Sequence, residues 1–303
     1  MRKFIWVLFS GLLMVIALAG VACGGGSGDD GSSSSDGGGS LTALLSSNPG
    51  KALDKSAAAY ADEVQSMQGE FVFRMSGGGF DADVSGSFSY RAPEDVYMTM
   101  HMAASDDDAL AVLGDMDFEI LMLGEQLYMN TPFFGGWVVM SIEDIGVDAA
   151  QYEKLAANHA PFNYGGLIDV LDDVENLGEE QIEGVTYVHL RLQTDFERAM
   201  AAISDSIETT GFDPSTLPID ALSGPLVFDL WVNPDTGLPY RIQAVGDMDV
   251  PDGTAETGAA LGGPMRFEMR FDFNAFNVNV DIPAAPANAK SFVELFGGGD
   301  AGN

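Results

Sequence analysis

Met265-Arg266-Phe267-Glu268-Met269-Arg270-Phe271-Asp272-Phe273 alternates an apolar residue with a charged one for nine positions without a break. Successive side chains of a β-strand point to opposite faces, so this period of two predicts a strand with one face buried and the other in water. The same pattern recurs on either side of it. Leu226–Val232 and Leu238–Val245 read as a hairpin around Asn233-Pro234-Asp235-Thr236-Gly237. Far upstream, Phe71, Phe73 and Met75 lead through Gly77, Gly78 and Gly79 into Phe80, Ala82, Val84, Gly86, Phe88 and Tyr90, a second hairpin.

Between these stretches the alternation continues through Val96, Met98, Met100 and Met102, then through Met116, Phe118, Ile120 and Met122, with Gly124 and Glu125 turning the chain into Gln126–Asn130 and a further strand at Trp137–Met140. Glu179–Ile182 and Val185–Thr194 add another pair. Short turns between successive strands give an antiparallel meander. Helical spacing is confined to four places: Ala52–Met67, with Leu53, Ala57, Tyr60, Val64 and Met67 on one face; Ile142–His159; Gly166–Asn176; and the segment after Thr194, where Thr194 and Glu197 form a T-x-x-E capping box. The sum is an α+β fold of about ten or eleven strands. A sheet of that size curls, and the expectation is a large curved antiparallel half-barrel with helices packed on its concave face and an apolar interior.

The N-terminus has a separate logic. Arg2 and Lys3 precede an apolar run from Phe4 to Leu18, and Ala19-Gly20-Val21-Ala22 leads to Cys23, the one cysteine of the chain. That order is a secretory signal closed by a lipobox-like junction. It predicts a signal peptide over 1–22 and a covalent lipid anchor on Cys23, carrying palmitate-type acyl chains. An uncleaved anchor is the alternative, since Phe4–Ala22 is long enough to cross a bilayer core of roughly 30 Å. Gly24–Ser40, GGGSGDDGSSSSDGGGS, has nothing to bury and reads as a tether. The expected organisation is therefore residues 1–22 as signal, 23–48 as lipidated cysteine and tether, 49–283 as the folded domain and 284–303 as a glycine-rich tail without structure. The location is the extracytoplasmic side of a membrane or envelope.

Charge narrows the function. Of 13 Lys and Arg, 11 follow the signal, against 46 Asp and Glu, a net charge of −35. Nothing in that balance neutralises phosphates, which excludes nucleic acid as a partner. Stability rests on burial alone, because a single cysteine leaves no internal disulfide. Catalytic patterns are missing: His101, His159 and His189 are far apart and lack metal-ligand spacing, no G-x-S-x-G elbow occurs, and no glycine loop joins a strand to a helix. Asp106–Asp108 and the Asp247, Asp249, Asp252 group lack a twelve-residue calcium-loop pattern and read as exposed turns. His189 shares a strand face with Tyr187 and Arg191, where a structural hydrogen bond is expected. The reading is of a protein that is not an enzyme and holds no metal or cofactor beyond its own lipid.

Two segments carry a resemblance. Leu177–Leu190, LGEEQIEGVTYVHL, places Gly178, Glu179, Gly184, Val185 and His189 in a G-E-x-x-x-x-G-V-x-x-x-H pattern, and Phe228–Ile242, FDLWVNPDTGLPYRI, places Asp229, Trp231, Val232, Gly237, Leu238, Pro239 and Arg241 in a D-x-W-V hairpin followed by G-L-P-x-R. Gly124, Leu127, Tyr128 and Trp137, with the helix around Leu167 and Leu171, are a weaker third. These resemble the LppX and LprG type of lipid-carrier lipoprotein, whose fold is related to the LolA and LolB carriers. The resemblance implies a hydrophobic cavity for the acyl chains of a lipid or glycolipid, carried or presented within the envelope, and leaves room for a transport partner there.

The residues point the same way. Thirteen of the 15 methionines follow the signal, and methionine adapts to varied apolar partners. Candidate cavity residues are Phe71, Phe73, Met98, Met100, Met102, Phe118, Ile120, Met122, Phe228, Leu230, Met269 and Phe271. An interaction or sensor scaffold with a packed core and no ligand is the competing reading.

Overall fold

The computed structural model describes residues 41–77, 80–104, 115–141, 168, 170–199, 224–250 and 263–296. Two helices come first, α1 (Leu41–Ser47) and α2 (Pro49–Glu63). Six strands follow: β1 (Ser66–Gly77), β2 (Phe80–Arg91), β3 (Asp95–Ala104), β4 (Met116–Leu123), β5 (Gln126–Thr131) and β6 (Gly136–Ser141). The second half supplies β7 (Asp173–Ile182), β8 (Val185–Asp195), β9 (Pro225–Val232), β10 (Pro239–Val250) and β11 (Gly263–Phe276), then β12 (Lys290–Ser291) and the one-turn helix α3 (Phe292–Phe296).

The twelve strands among the described residues belong to one open, curved sheet in the order β12-β6-β5-β4-β3-β2-β1-β11-β10-β9-β8-β7. The two meanders are therefore joined at a single seam, where β11, the alternating stretch at 265–273, lies antiparallel to β1 with Phe71 opposite Phe271 and Phe73 opposite Met269. That seam explains the clean alternation. A strand in the middle of the sheet has its inner face covered by the core and its outer face in water, and Met265, Phe267, Met269, Phe271 and Phe273 are all buried. On the outer face, Arg74 pairs with Asp83 at 2.9 Å, Arg266 with Asp247 at 3.2 Å and Arg270 with Asp272 at 2.9 Å.

Two glycines let the inner face close up at the seam. Phe71 stands opposite Gly86 and Phe88 opposite Gly69. A Cβ on Gly86 would lie 2.8 Å from Phe71 Cζ and collide with the Thr99 carbonyl; one on Gly69 would lie 2.6 Å from Phe88 Cζ and collide with the Asp272 carbonyl. Each ring thus lies over a position where the backbone is bare, and the pair interleaves on adjacent strands.

Helix α2 covers one end of the concave face. Asn48 caps it, accepting a bond from Lys51 N–H at 3.1 Å, and Pro49 opens its first turn. Its buried stripe is Leu53, Ala57 and Tyr60, and Tyr60 meets Phe273 and Phe276 edge-on at 6.2 and 5.9 Å. The buried Ser56 hydroxyl donates to the Gly237 carbonyl in the β9–β10 turn, and Asn176 of β7 donates to Leu45 O at 2.6 Å. Both helices are therefore fastened to the far half of the sheet.

Several expectations need correction. The first helix ends at Glu63 rather than Met67, because Val64 is extended (φ −82°, ψ 108°); Met67 instead belongs to β1 and accepts a contact from Tyr60 O–H at 3.0 Å. Residues 173–176, read as the end of a helix, are the first residues of β7: Val174 pairs with Leu192, so its apolar spacing reflects a strand edge with a bulge between Asn176 and Gly178. The helical turn at Phe196 is capped by Asp195, whose carboxylate accepts from Arg198 N–H at 2.8 Å, while Thr194 donates to Val170 O. The tether region ends sooner than expected, since Leu41 and Leu45 are already buried. Lys290 and Ser291, placed in an unstructured tail, pair in parallel with Val138 and Val139 and bring the strand count to twelve. Asp247 and Asp249 lie in a strand, not a turn. Cys23, the helix expected at 142–159, Leu167, Asp106–Asp108 and Asp252 lie outside the described residues.

Candidate functional site

Register decides which residues share the concave face. Across one half of the sheet, Met98 pairs with Ile120 and Met100 with Phe118, while Val96 pairs with Met122. Ile120 continues to Met129 and then Val138, and Met122 to Leu127 and Met140. Across the other half, Phe271 pairs with Ile242 and Met269 with Ala244; Ile242 continues to Leu230 and Leu190, and Ala244 to Phe228 and Leu192. Phe71 and Phe73 join the halves. All twelve candidate residues of the sequence reading therefore stand on one continuous face.

Nine of the twelve are buried, and Phe73, Phe118 and Met122 are half-buried. Met98, Met100 and Met102 are 5%, 3% and 8% exposed, so this face is closed over rather than open to water. Two surface clefts of about 390 Å³ each lie elsewhere. One is bounded by Arg74, Met75, Asp83, Arg266 and Glu268 at the β1–β2 end; the other lies between Asn48–Gly50 and Leu171–Val174. Neither touches the twelve candidates.

Sequence reasoning missed several members of the face. Tyr60 and Met67 were placed on one helix; Leu190, Leu192 and Val188 escaped notice because β8 interleaves them with Tyr187, His189 and Arg191, which are themselves large. The signal was present in the strict period of two from Val188 to Leu192.

The outer face of β7–β10 holds a stacked set instead of a site. His189 lies flat on Trp231 with centroids 4.2 Å apart, Arg241 covers Trp231 and Tyr240 at 5.6 and 5.4 Å, and Tyr240 meets Tyr187 at 4.7 Å. Asp229 accepts from Arg191 Nε at 2.9 Å and lies 3.0 Å from His189 Nε2, while Trp231 Nε1 donates to Glu180 at 2.7 Å. All of these but Arg191 lie in the two resembling segments. They fix neighbouring strands through cation–π and hydrogen-bond contacts, and His189 has the structural bond expected of it.

Two titrating groups on β3 report the outer face of the other half. Burial, and after it a 2.8 Å bond to Glu119, pushes the Tyr97 hydroxyl up to about 12. The exposed His101 is raised above the ordinary imidazole value, first by its hydrogen bond to Asp117 at 2.9 Å. A raised histidine favours the folded state below its unfolded pKa, and that contribution fades as pH rises through the folded value. Nuclear magnetic resonance titration of His101 is expected to give a midpoint above 6.5 that Asp117→Asn moves down; an unmoved midpoint would refute the pairing. Among the described residues no group of His, Cys, Asp and Glu has the geometry to hold a metal, and no helix is long and apolar enough to cross a membrane.

No protein-family model matches the sequence, nor does any curated protein. Solved structures similar to this one include the lipoprotein LppX of Mycobacterium tuberculosis, 13% identical over 77% of this chain and 99% of that chain, with a TM-score of 0.38. LprF of Mycobacterium bovis is 14% identical over 78% and 96%, with a TM-score of 0.41. A LolA superfamily protein of Nitrosomonas europaea is 14% identical over 77% and 94%, with a TM-score of 0.26.

Proposed function

We propose that the chain is an extracytoplasmic lipoprotein, anchored through Cys23, that takes the acyl chains of a lipid or glycolipid against the concave face of its sheet and carries or presents them in the envelope. The observation that carries this reading is the chemistry of the face. From β1 to β6 and from β8 to β11 its described positions hold Met, Phe, Leu, Ile, Val, Ala and Gly with almost no polar atom and no charge, in a chain of net charge −33. A methionine-rich surface repacks around guests of different shape. Uptake is then an exchange of one apolar environment for another. A membrane already shelters lipid tails, so the face needs only to match it, and release follows with little bias. The reaction involves no bond making, and no side chain acts as acid, base or nucleophile.

The closure of the face favours a second reading, an envelope interaction scaffold whose sheet is filled by its own core. Native mass spectrometry of the purified full chain, with organic extraction, separates them. The carrier predicts copurified or vesicle-derived diacyl or triacyl lipid at near one per protein. A ligand-free mass, together with no uptake from phosphatidylcholine vesicles, would leave the scaffold.

A further inference from the structure

The concave face is not uniformly apolar. Thr131 ends β5 on the inner side, two residues beyond Met129 and opposite Gly136 of β6. It is 8% exposed, and its hydroxyl has no hydrogen-bond partner among the described residues. Three other described polar groups on that side have partners: Thr194 donates to Val170 O at 2.7 Å, Asn176 to Leu45 O at 2.6 Å and Tyr90 to Pro93 O at 3.4 Å. A buried hydroxyl left unpaired costs roughly 1–3 kcal/mol, and folded proteins rarely carry one without a use.

The surroundings of Thr131 suggest that use. A Cβ built on Gly136, the residue paired with it, would meet nothing within 4 Å, so the facing strand does not crowd this end of the hairpin. Phe118, half-buried, stands one step beyond the last β4–β5 pair, Glu119 with Asn130, level with Thr131. From there Met129, Ile120 and Met98 run inward in register. The arrangement is a row of apolar side chains with one unpaired hydroxyl at its end.

We propose that Thr131 donates to the ester carbonyl of an acyl lipid, so that the preferred cargo is a neutral acyl ester. This rests on the concave face being the acyl-chain site. The absence of any charged side chain on the described inner face between β3 and β6 selects against the alternatives. A free carboxylate or a phosphate placed beside Thr131 would be buried with no cation to compensate it. A plain hydrocarbon would leave the hydroxyl unpaired. An ester carbonyl is a neutral acceptor attached to the chains that the rest of the face takes, and it gives the donor the partner that the protein withholds.

The test is a competition between 1,2-dioleoylglycerol and its di-O-oleyl ether, equal in chain length and differing in the two carbonyls, offered together to the full chain and counted by native mass spectrometry. Wild type is expected to favour the ester roughly two- to tenfold, the range of one hydrogen bond. Thr131→Val, which keeps the shape and removes the donor, is expected to bind both alike, and Thr131→Ser to restore the preference. Thermal melting of ligand-free Thr131→Val is expected to match or exceed wild type, because an unpaired buried group has been removed. Binding of both lipids by wild type without discrimination, or discrimination that survives in Thr131→Val, overturns the proposal while leaving the carrier reading intact. Binding of neither overturns both.

Discussion

Gly86→Val is expected to unfold the domain or leave it barely stable. Its Cβ would collide with the Thr99 carbonyl, a backbone atom of the neighbouring strand, and press on Phe71 at 2.8 and 2.9 Å. Phe71 has no retreat: it is 2% exposed, lies 6.0 Å from Phe271 and sits on the seam that joins the two meanders. Either the ring leaves the core or β2 parts from β3. Overpacking typically costs about 1–3 kcal/mol, and a clash with backbone on top of a displaced aromatic belongs at or above the upper end, which is a large part of the total stability of a domain. Ser85→Val, one residue away on the outer face, is the control and should stay within about 0.5 kcal/mol of wild type. Urea denaturation of both variants checks it. A wild-type midpoint for Gly86→Val would mean that the interleaving of Phe71 with Gly86 contributes nothing to closing the inner face.

That glycine also marks the limit of what the sequence makes legible. The alternation in 265–273 identifies a strand and its buried side, and strand patterning with turn signals recovers eleven of the twelve described strands. It does not say which strand neighbours which. The seam between β1 and β11 joins residues about two hundred positions apart, and neither partner carries a mark of the other. Gly86 is one position of an alternating run and Gly69 carries no pattern of its own; only the pairing shows that each makes room for a ring across the ladder. The β7 error has a similar cause. Val170 and Val174 four apart suit a helix face, yet Val174 is a strand-edge residue whose neighbours are charged. As for the candidate site, membership of one face followed from periodicity. Its closure did not, since burial of Met98 and Met100 depends on what lies across the concavity. Thr131 was invisible, because a threonine at a strand end before Pro132 looks like an ordinary turn residue.

Because the face is closed, a polar probe placed on it tests the fold and the function together. Met98→Asp puts a carboxylate at a position 5% exposed, between Phe88 and Ile120 in register, with no cation on the described inner face to pair with it. A charge buried in this way costs several kcal/mol, or else its pKa rises until the neutral acid is the folded form. The sign follows from the second route. The introduced group binds its proton more tightly folded than unfolded, so the variant loses stability as pH rises from the ordinary carboxylate range through the raised value. The melting temperature of Met98→Asp is therefore expected to fall well below wild type at pH 7 and to recover part of the gap at pH 4. Met98→Leu, close in volume, should cost less than about 1.5 kcal/mol at either pH. If the aspartate variant is folded at pH 5 and still retains diacylglycerol as wild type does, the β3 face does not hold the acyl chains. If it folds with a pH-independent melting temperature, residue 98 reaches water, and the closed concavity that favours the scaffold reading does not exist in solution. Loss of lipid in a variant that remains folded, with the leucine variant unaffected, is the outcome that a carrier requires, because it ties retention to the apolar character of the face rather than to the presence of the sheet.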